Sequence, residues 1–148
     1  MNVADALDGV ERLFLDTAPV IYFLERNPKY FSRMESFFRI RRQKGILLVT
    51  SPVTLAECLV HPLKQGLTEL AQTYRQVIVD DAGAEYHHIC PHSAERAARL
   101  RATVSISLMD ALQVGVALSA GCQAFFTNDR HLSRISDLPV ILLEDLEH

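Results

Sequence analysis

The sequence predicts an α/β fold: a central parallel sheet flanked by layers of helix. Three observations point there. Short apolar runs recur at Leu13–Leu15, Ile46–Thr50, Cys122–Phe126 and Val140–Leu143, without the polar alternation of a half-exposed strand, as in a parallel sheet covered on both faces. Between them lie longer stretches whose apolar residues recur at helical spacing. The first two runs pass straight into helix-starting residues, the strand–helix rhythm of parallel architectures.

The first strand, Leu13 to Leu15, ends on Asp16. Thr17 is suited to cap the next helix and Pro19 to its first turn, so a short helix is expected over Val20–Arg26, broken by Asn27 and Pro28. Phe31, Met34, Phe37, Phe38 and Ile40 share helical spacing, which makes Lys29–Gln43 an amphipathic helix ended by Lys44 and Gly45. Ile46–Thr50 is the second strand. Ser51 is a good N-cap and Pro52 a good first helical residue, and His61-Pro62 is expected to end or kink the helix they start. Leu67–Val79 reads as another helix, followed by a polar turn at Asp80, Asp81 and Gly83 and a short strand over Glu85–Cys90. Ser93–Val104 is an Ala- and Arg-rich helix, and Ser107–Leu118 a strongly apolar one that ends near Gly121. Cys122–Phe126 is a third strand, stopping on Thr127-Asn128-Asp129. Arg130–Arg134 is a helical turn, and Val140–Leu143 is the last strand before an acidic tail, Glu144–Glu147.

With 148 residues, 49% apolar and 22% charged, the chain is expected to be one domain, 1–148, with a real core. No stretch reaches the roughly 20 apolar residues that span a bilayer. The acidic stretch Met1–Gly9 has no basic-then-apolar signal pattern, so a cytoplasmic protein is expected. Cys58, Cys90 and Cys122 are widely spaced and odd in number, which argues against a disulfide framework or a cysteine zinc site. The formal net charge of -3 does not advertise a nucleic-acid binder, yet Arg39, Arg41, Arg42 and Lys44 cluster, as do Arg96, Arg99 and Arg101. Each cluster is either a basic patch or a solvated helix face.

Four acids share a context. Asp16 and Asp129 follow strands, Glu57 lies in the second turn of the helix leaving Thr50, and Asp110 lies in the first turn of an apolar helix. Singly, each has a local explanation: Asp16 and Asp129 as caps or turn residues, Ser107-x-x-Asp110 and Thr54-x-x-Glu57 by capping-box spacing. Together they suggest more. Carboxyl ends of parallel strands lie on one side of the sheet, where open α/β sheets place their ligand crevices. Apolar neighbours imply that Glu57 and Asp110 are buried, which is costly for a carboxylate without a partner. Several carboxylates in one cleft require protonation or a cation. All-oxygen ligands favour Mg²⁺ or Mn²⁺, the ions of phosphoryl chemistry, so the residues point to a metal-dependent phosphodiester or phosphate hydrolase.

In this set, Leu15-Asp16-Thr17, Thr54-Leu55-Ala56-Glu57, Met109-Asp110-Ala111-Leu112 and Phe126-Thr127-Asn128-Asp129, the chain resembles the PIN-domain nucleases. The motifs occur in the family's order from Leu15 to Asp129, and the small size looks most like the bacterial VapC-type toxins of toxin–antitoxin pairs. The resemblance implies a Rossmann-like, three-layer sheet domain and Mg²⁺- or Mn²⁺-dependent hydrolysis of phosphodiester bonds in RNA. It implies Asp16, Glu57, Asp110 and Asp129 as catalytic and metal-binding carboxylates. Asp16 and Asp110 would be the most direct ligands; Glu57 and Asp129 would bind directly, through water, or orient the attacking water. Thr17 and Asn128 would support the pocket. A cognate antitoxin and a homodimer are the implied partners. The helix Lys29–Gln43 is a candidate dimer surface, the alternative being that its apolar residues are core. A stand-alone RNA-processing nuclease and a silent interaction module of the same fold remain as alternatives. Some members carry a further acid two residues after the late Asp; here that residue is His131, which weakens the case for a second metal and reads more simply as a surface histidine.

Other constellations are weaker. His87-His88-x-Cys90-x-His92 looks like a soft-metal cluster, but Pro91 interrupts it. An aspartyl-nucleophile phosphatase would carry an acid where Ala18 stands. A phosphoacceptor domain would need a late lysine, and none follows Lys64.

Overall fold

Arg12–Leu15 (β1) occupies the middle of a five-stranded sheet in a computed structural model that describes residues 1–147. The expected domain runs to His148, which lies outside the described residues. The other strands are Leu47–Thr50 (β2), Ala84–Tyr86 (β3), Ala124–Thr127 (β4) and Val140–Leu142 (β5), in the order β3-β2-β1-β4-β5. Every pairing is parallel, as the doubly covered apolar runs require.

Because successive strand residues face opposite ways, the strands feed two separate cores. Leu13, Leu15, Leu48, Ala124 and Phe126 face one layer, formed by helices Val3–Ala6 (α1), Thr17–Leu24 (α2), Phe31–Lys44 (α3), Pro52–Lys64 (α4) and Thr68–Arg75 (α5). Phe14, Val49 and Phe125 face the other, formed by Pro91–Thr103 (α6) and Leu108–Ser119 (α7). Phe14 stacks on Phe125 at 4.8 Å, and Phe37 of α3 stacks on Phe126 at 4.4 Å. Such pairs contribute about 0.5–1.5 kcal/mol beyond their buried area. Met34 and Phe37 are fully buried in this way, whereas Phe31, Phe38 and Ile40 of the same helix are only partly buried.

Several boundaries differ from the sequence expectation for local reasons. Asp16, not Thr17, takes the N-cap position of α2, so that helix starts at Thr17 rather than Val20. His61-Pro62 does not end α4; the helix runs to Lys64 with Pro62 buried inside it, and the left-handed Gly66 (φ 68°) follows its last turn. The helix α5 passes into a wider π-helical turn, Gln76–Asp80. β3 stops at Tyr86: His87 still donates to the Thr50 carbonyl at 2.9 Å, after which the chain leaves the sheet. Helix α6 then starts at Pro91, with Cys90 and Ser93 forming a reciprocal cap. Two elements were not expected: the 3-10 turn Leu143–Asp145, and the single turn α1, capped by Asn2 through the Asp5 backbone N–H and pinned by buried Val3 and Leu7.

The arginine clusters split. Arg96 and Arg99 line a cavity of about 430 Å³ with His92, Glu95 and Asp137. Arg41 is no solvated side chain: it is 9% exposed and donates to the Gly83 carbonyl, and burial lowers its pKa.

Candidate active site

The order β2-β1-β4 places the reversal of winding between β1 and β4, and the crevice of an open α/β sheet forms at such a reversal. Asp16 follows β1 directly. Its backbone N–H extends the ladder to the Phe126 carbonyl at 3.0 Å, which fixes it beside the end of β4. The residue is 8% exposed. Thr127 Oγ1 donates to Asp16 Oδ2 at 2.7 Å, and Gln113 Nε2 donates to Oδ1 at 3.3 Å. Burial pushes the Asp16 pKa up, and the charge of Asp110 adds to it; the Thr127 hydroxyl, the Thr17 backbone N–H and Gln113 act against this.

Asp110 lies in the first turn of α7, where Ser107 caps the helix by accepting from the Asp110 N–H at 3.1 Å. It is half-buried. Burial raises its pKa first; the nearby charge of Asp129 raises it further, while Ser107 and His131 pull it down. The flanking Leu108 and Met109 are 56% and 51% exposed, so the expected burial of Asp110's neighbours holds for Ala111 but not for these two.

Glu57 is exposed, because the inward face of α4 is taken by Thr54 and Cys58. Ser51 caps α4 by accepting from the Val53 and Thr54 N–H groups, so Thr54 and Glu57 form no capping box. Instead Thr17 Oγ1 donates to Glu57 Oε1 at 2.7 Å, joining this acid to the first turn after Asp16. Asp129 does act as a cap, accepting from the His131 N–H at 3.0 Å, and its own N–H donates to Thr127 Oγ1 at 3.1 Å. Asn128 turns away from these acids and accepts from the Glu144 N–H at 2.9 Å, tying the tail to the end of β4.

Electrostatic coupling thus runs from Asp16 to Asp110 and from Asp110 to Asp129, with Glu57 attached through Thr17. The Cys58 thiol records the same field: burial, followed by the charges of Glu57, Asp16 and Glu25, pushes it up to about 12. Among the described residues, no three His, Cys, Asp or Glu side chains converge closely enough to enclose a metal ion. The donor set nevertheless fits a hard divalent cation. It is all carboxylate, two members carry a raised pKa that a cation would reverse, and Mg²⁺ habitually takes one or two carboxylates and keeps several waters.

The sequence profile described as PIN domain matches residues 13–138. The chain belongs to the PIN-domain family. No curated protein matches this PIN domain closely. Several solved structures share its fold. One is VapBC2 from Rickettsia felis bound to a DNA fragment from their promoter, with TM-score 0.69 and 18% identity, covering 88% of this chain and 98% of that one. A second is VapC20 of Mycobacterium tuberculosis, described as a sarcin-ricin loop cleaving toxin, with TM-score 0.67 and 17% identity, covering 82% and 93%. A third is DNA-bound VapBC from Salmonella typhimurium, with TM-score 0.66 and 19% identity, covering 89% and 98%.

Two buried polar residues around the acids, Ser51 and Gln113, carried no functional reading in the sequence, and buried Thr54 and Thr127 entered only as members of the quoted motifs, with no role of their own. Gln113 alone gave a usable signal, since it lies three residues after Asp110 and therefore on the same side of α7. The side chains of the His87–His92 run engage separate partners. His87 bonds Glu85, His88 packs edge-on against Tyr86, His92 accepts from Arg96 Nε at 3.1 Å, and Cys90 caps α6.

Proposed function

We propose that this PIN domain is a metal-dependent endoribonuclease that uses Mg²⁺ or Mn²⁺ and serves as the toxin of a toxin–antitoxin pair. One observation carries the reading: Asp16, Glu57, Asp110 and Asp129 are linked through hydrogen bonds and mutual charge at the carboxyl ends of β1 and β4. A divalent cation bound there supplies Lewis-acid polarisation of a phosphodiester and neutralises developing negative charge. Asp16 and Asp110 hold the ion. Glu57, aligned by Thr17 at the exposed edge, orients the water that attacks phosphorus, and Asp129 completes the acidic field while fixing the turn that follows. Asn128 supports the site indirectly by anchoring Glu144.

Three considerations support the toxin role. The fold and nearly the full length match structures that contain VapC-type proteins. Large apolar side chains, Val60 and Leu63 on α4 and Leu108 and Met109 on α7, stand exposed, as surfaces that bind a protein partner do. A cognate antitoxin and a second copy of the chain are the partners read here. Among the described residues no helix is long and apolar enough to cross a membrane, which agrees with action on RNA in the cytoplasm.

The test is cleavage of labelled single-stranded RNA by the purified protein with Mg²⁺, Mn²⁺ or EDTA. Cutting that needs the metal and disappears in Asp110→Asn is the expected result. Cutting that persists in EDTA or in the variant would sink the assignment.

A further inference from the structure

Gln113 is 1% exposed and lies one turn past Asp110 on an otherwise apolar helix face. A buried amide is stable only when its donors and acceptor are matched, and here the matching has a direction. Ser51 Oγ accepts from the backbone N–H groups of Val53 at 3.1 Å and Thr54 at 3.3 Å, so its own proton points outward to Gln113 Oε1. That makes Oε1 the acceptor end and turns Nε2 towards Thr54 Oγ1 at 2.7 Å and Asp16 Oδ1 at 3.3 Å. Both amide protons are committed, and Asp16 Oδ1 is fixed as an acceptor. Thr127 treats the other oxygen in the same way, accepting from the Asp129 N–H and donating to Oδ2.

We propose that Gln113 is a positioning residue for the acidic site, holding the Asp16 carboxylate in one orientation, as an acceptor, for a divalent cation. The proposal rests on the reading of these acids as a Mg²⁺ or Mn²⁺ site. The geometry gives Gln113 more reach than its bond to Asp16 alone. Its side chain also contacts the N-cap and the first turn of α4, the helix that carries Glu57, and its backbone belongs to α7, which carries Asp110. One amide therefore registers three acid-bearing elements against each other. Residues that orient ligating carboxylates in this way affect metal affinity by about 10–100-fold.

The test is calorimetric titration of Mn²⁺ into the wild-type protein, Gln113→Met, Val114→Ala and Asp110→Asn, with urea unfolding of each in EDTA. Gln113→Met keeps the side-chain length and removes the amide. Val114→Ala weakens the same buried helix without touching a polar group. Wild type and Val114→Ala are expected to bind Mn²⁺ alike, Asp110→Asn not at all, and Gln113→Met about 10–100-fold more weakly than wild type. Wild-type affinity in a folded Gln113→Met overturns the positioning role and leaves the metal site standing. No Mn²⁺ binding by the wild type overturns the metal site and the proposal with it. If Gln113→Met does not fold, Gln113→Asn replaces it; one methylene shorter, it draws the donor away from Asp16 and must show the same loss.

Discussion

Asp16 and Thr127 stand at the ends of neighbouring strands and share a hydrogen bond of 2.7 Å. Thr127 Oγ1 also accepts from the Asp129 N–H at 3.1 Å, so one buried hydroxyl couples the acid after β1 to the acid after β4. Thr127→Val keeps the shape and the β-branch but deletes both bonds. It leaves the Asp129 N–H and one Asp16 oxygen without that partner, a loss of about 1–3 kcal/mol per unsatisfied buried group. The midpoint of urea unfolding should fall accordingly, and RNA cleavage should drop by about 10–100-fold. An unchanged midpoint would mean that water replaces the hydroxyl at no cost.

The acids set a pH dependence whose sign follows from burial. Asp16 and Asp110 have pKa values raised above those of an unfolded chain, where an aspartate titrates near 3.9. The folded protein therefore binds more protons than the unfolded one across that window. Stability contributed by these groups is present at acid pH and declines as pH rises from the unfolded value through the raised folded values. In EDTA, the urea midpoint of wild type should therefore fall as pH rises from about 4 to neutrality, and fall less in Asp16→Asn, which carries no charge there although its amide leaves one donor facing Thr127 or Gln113. The same variant should lose cleavage by about 10²- to 10³-fold. Added Mn²⁺ should stabilise wild type and not the variant. A wild-type midpoint that rises over that range more steeply than the variant's would reverse the assigned sign.

How the residues around this site read in sequence depended on whether their role was local. Asp16 and Asp129 were legible because each interrupts an apolar strand at its end. The all-parallel sheet was legible because its strands do not alternate. The Asp16–Thr17 step stayed open because both residues cap helices well; in the structure Asp16 takes the N-cap position while its N–H extends the ladder to Phe126. Pro62 looked like a stop because helix interiors disfavour proline, yet its ring is buried within α4 and the helix continues. The roles of Thr127 and Gln113 were not legible for another reason: their partners are 111 and 97 residues away in the chain. Helical spacing reports which face a residue is on, not what waits there.

The cysteines separate by environment. Burial pushes the thiols of Cys58 and Cys122 up to about 12, whereas Cys90 is exposed at the start of α6, where the Ser93 backbone N–H and hydroxyl pull its thiol down. Iodoacetamide at pH 8 should therefore add one label to the native protein, on Cys90, and three after denaturation, read by intact mass and peptide mapping. The thiolate is the reacting form, so the native rate at Cys58 and Cys122 should follow unfolding rather than reagent concentration. Fast native labelling of Cys58 would contradict its burial on the inward face of α4.

Gly115 sets how closely α7 approaches α6. A Cβ built there would meet the Ser93 carbonyl oxygen at 2.5 Å and the Ala97 Cβ at 3.2 Å. The first obstacle is backbone, which cannot rotate away. Gly115→Ala gains helix propensity, about 1 kcal/mol, but forces apart a buried helix pair, which typically costs about 1–3 kcal/mol. The net should be destabilising. Because α7 carries Asp110 and Gln113, Mn²⁺ affinity should fall as well. A second change separates the two obstacles: Ala97→Gly removes the side-chain contact and leaves the Ser93 carbonyl in place. The double variant Gly115→Ala/Ala97→Gly should thus stay less stable than wild type in urea. Full recovery would show that α6 yields at Ala97 and that the carbonyl contact is not what fixes the spacing.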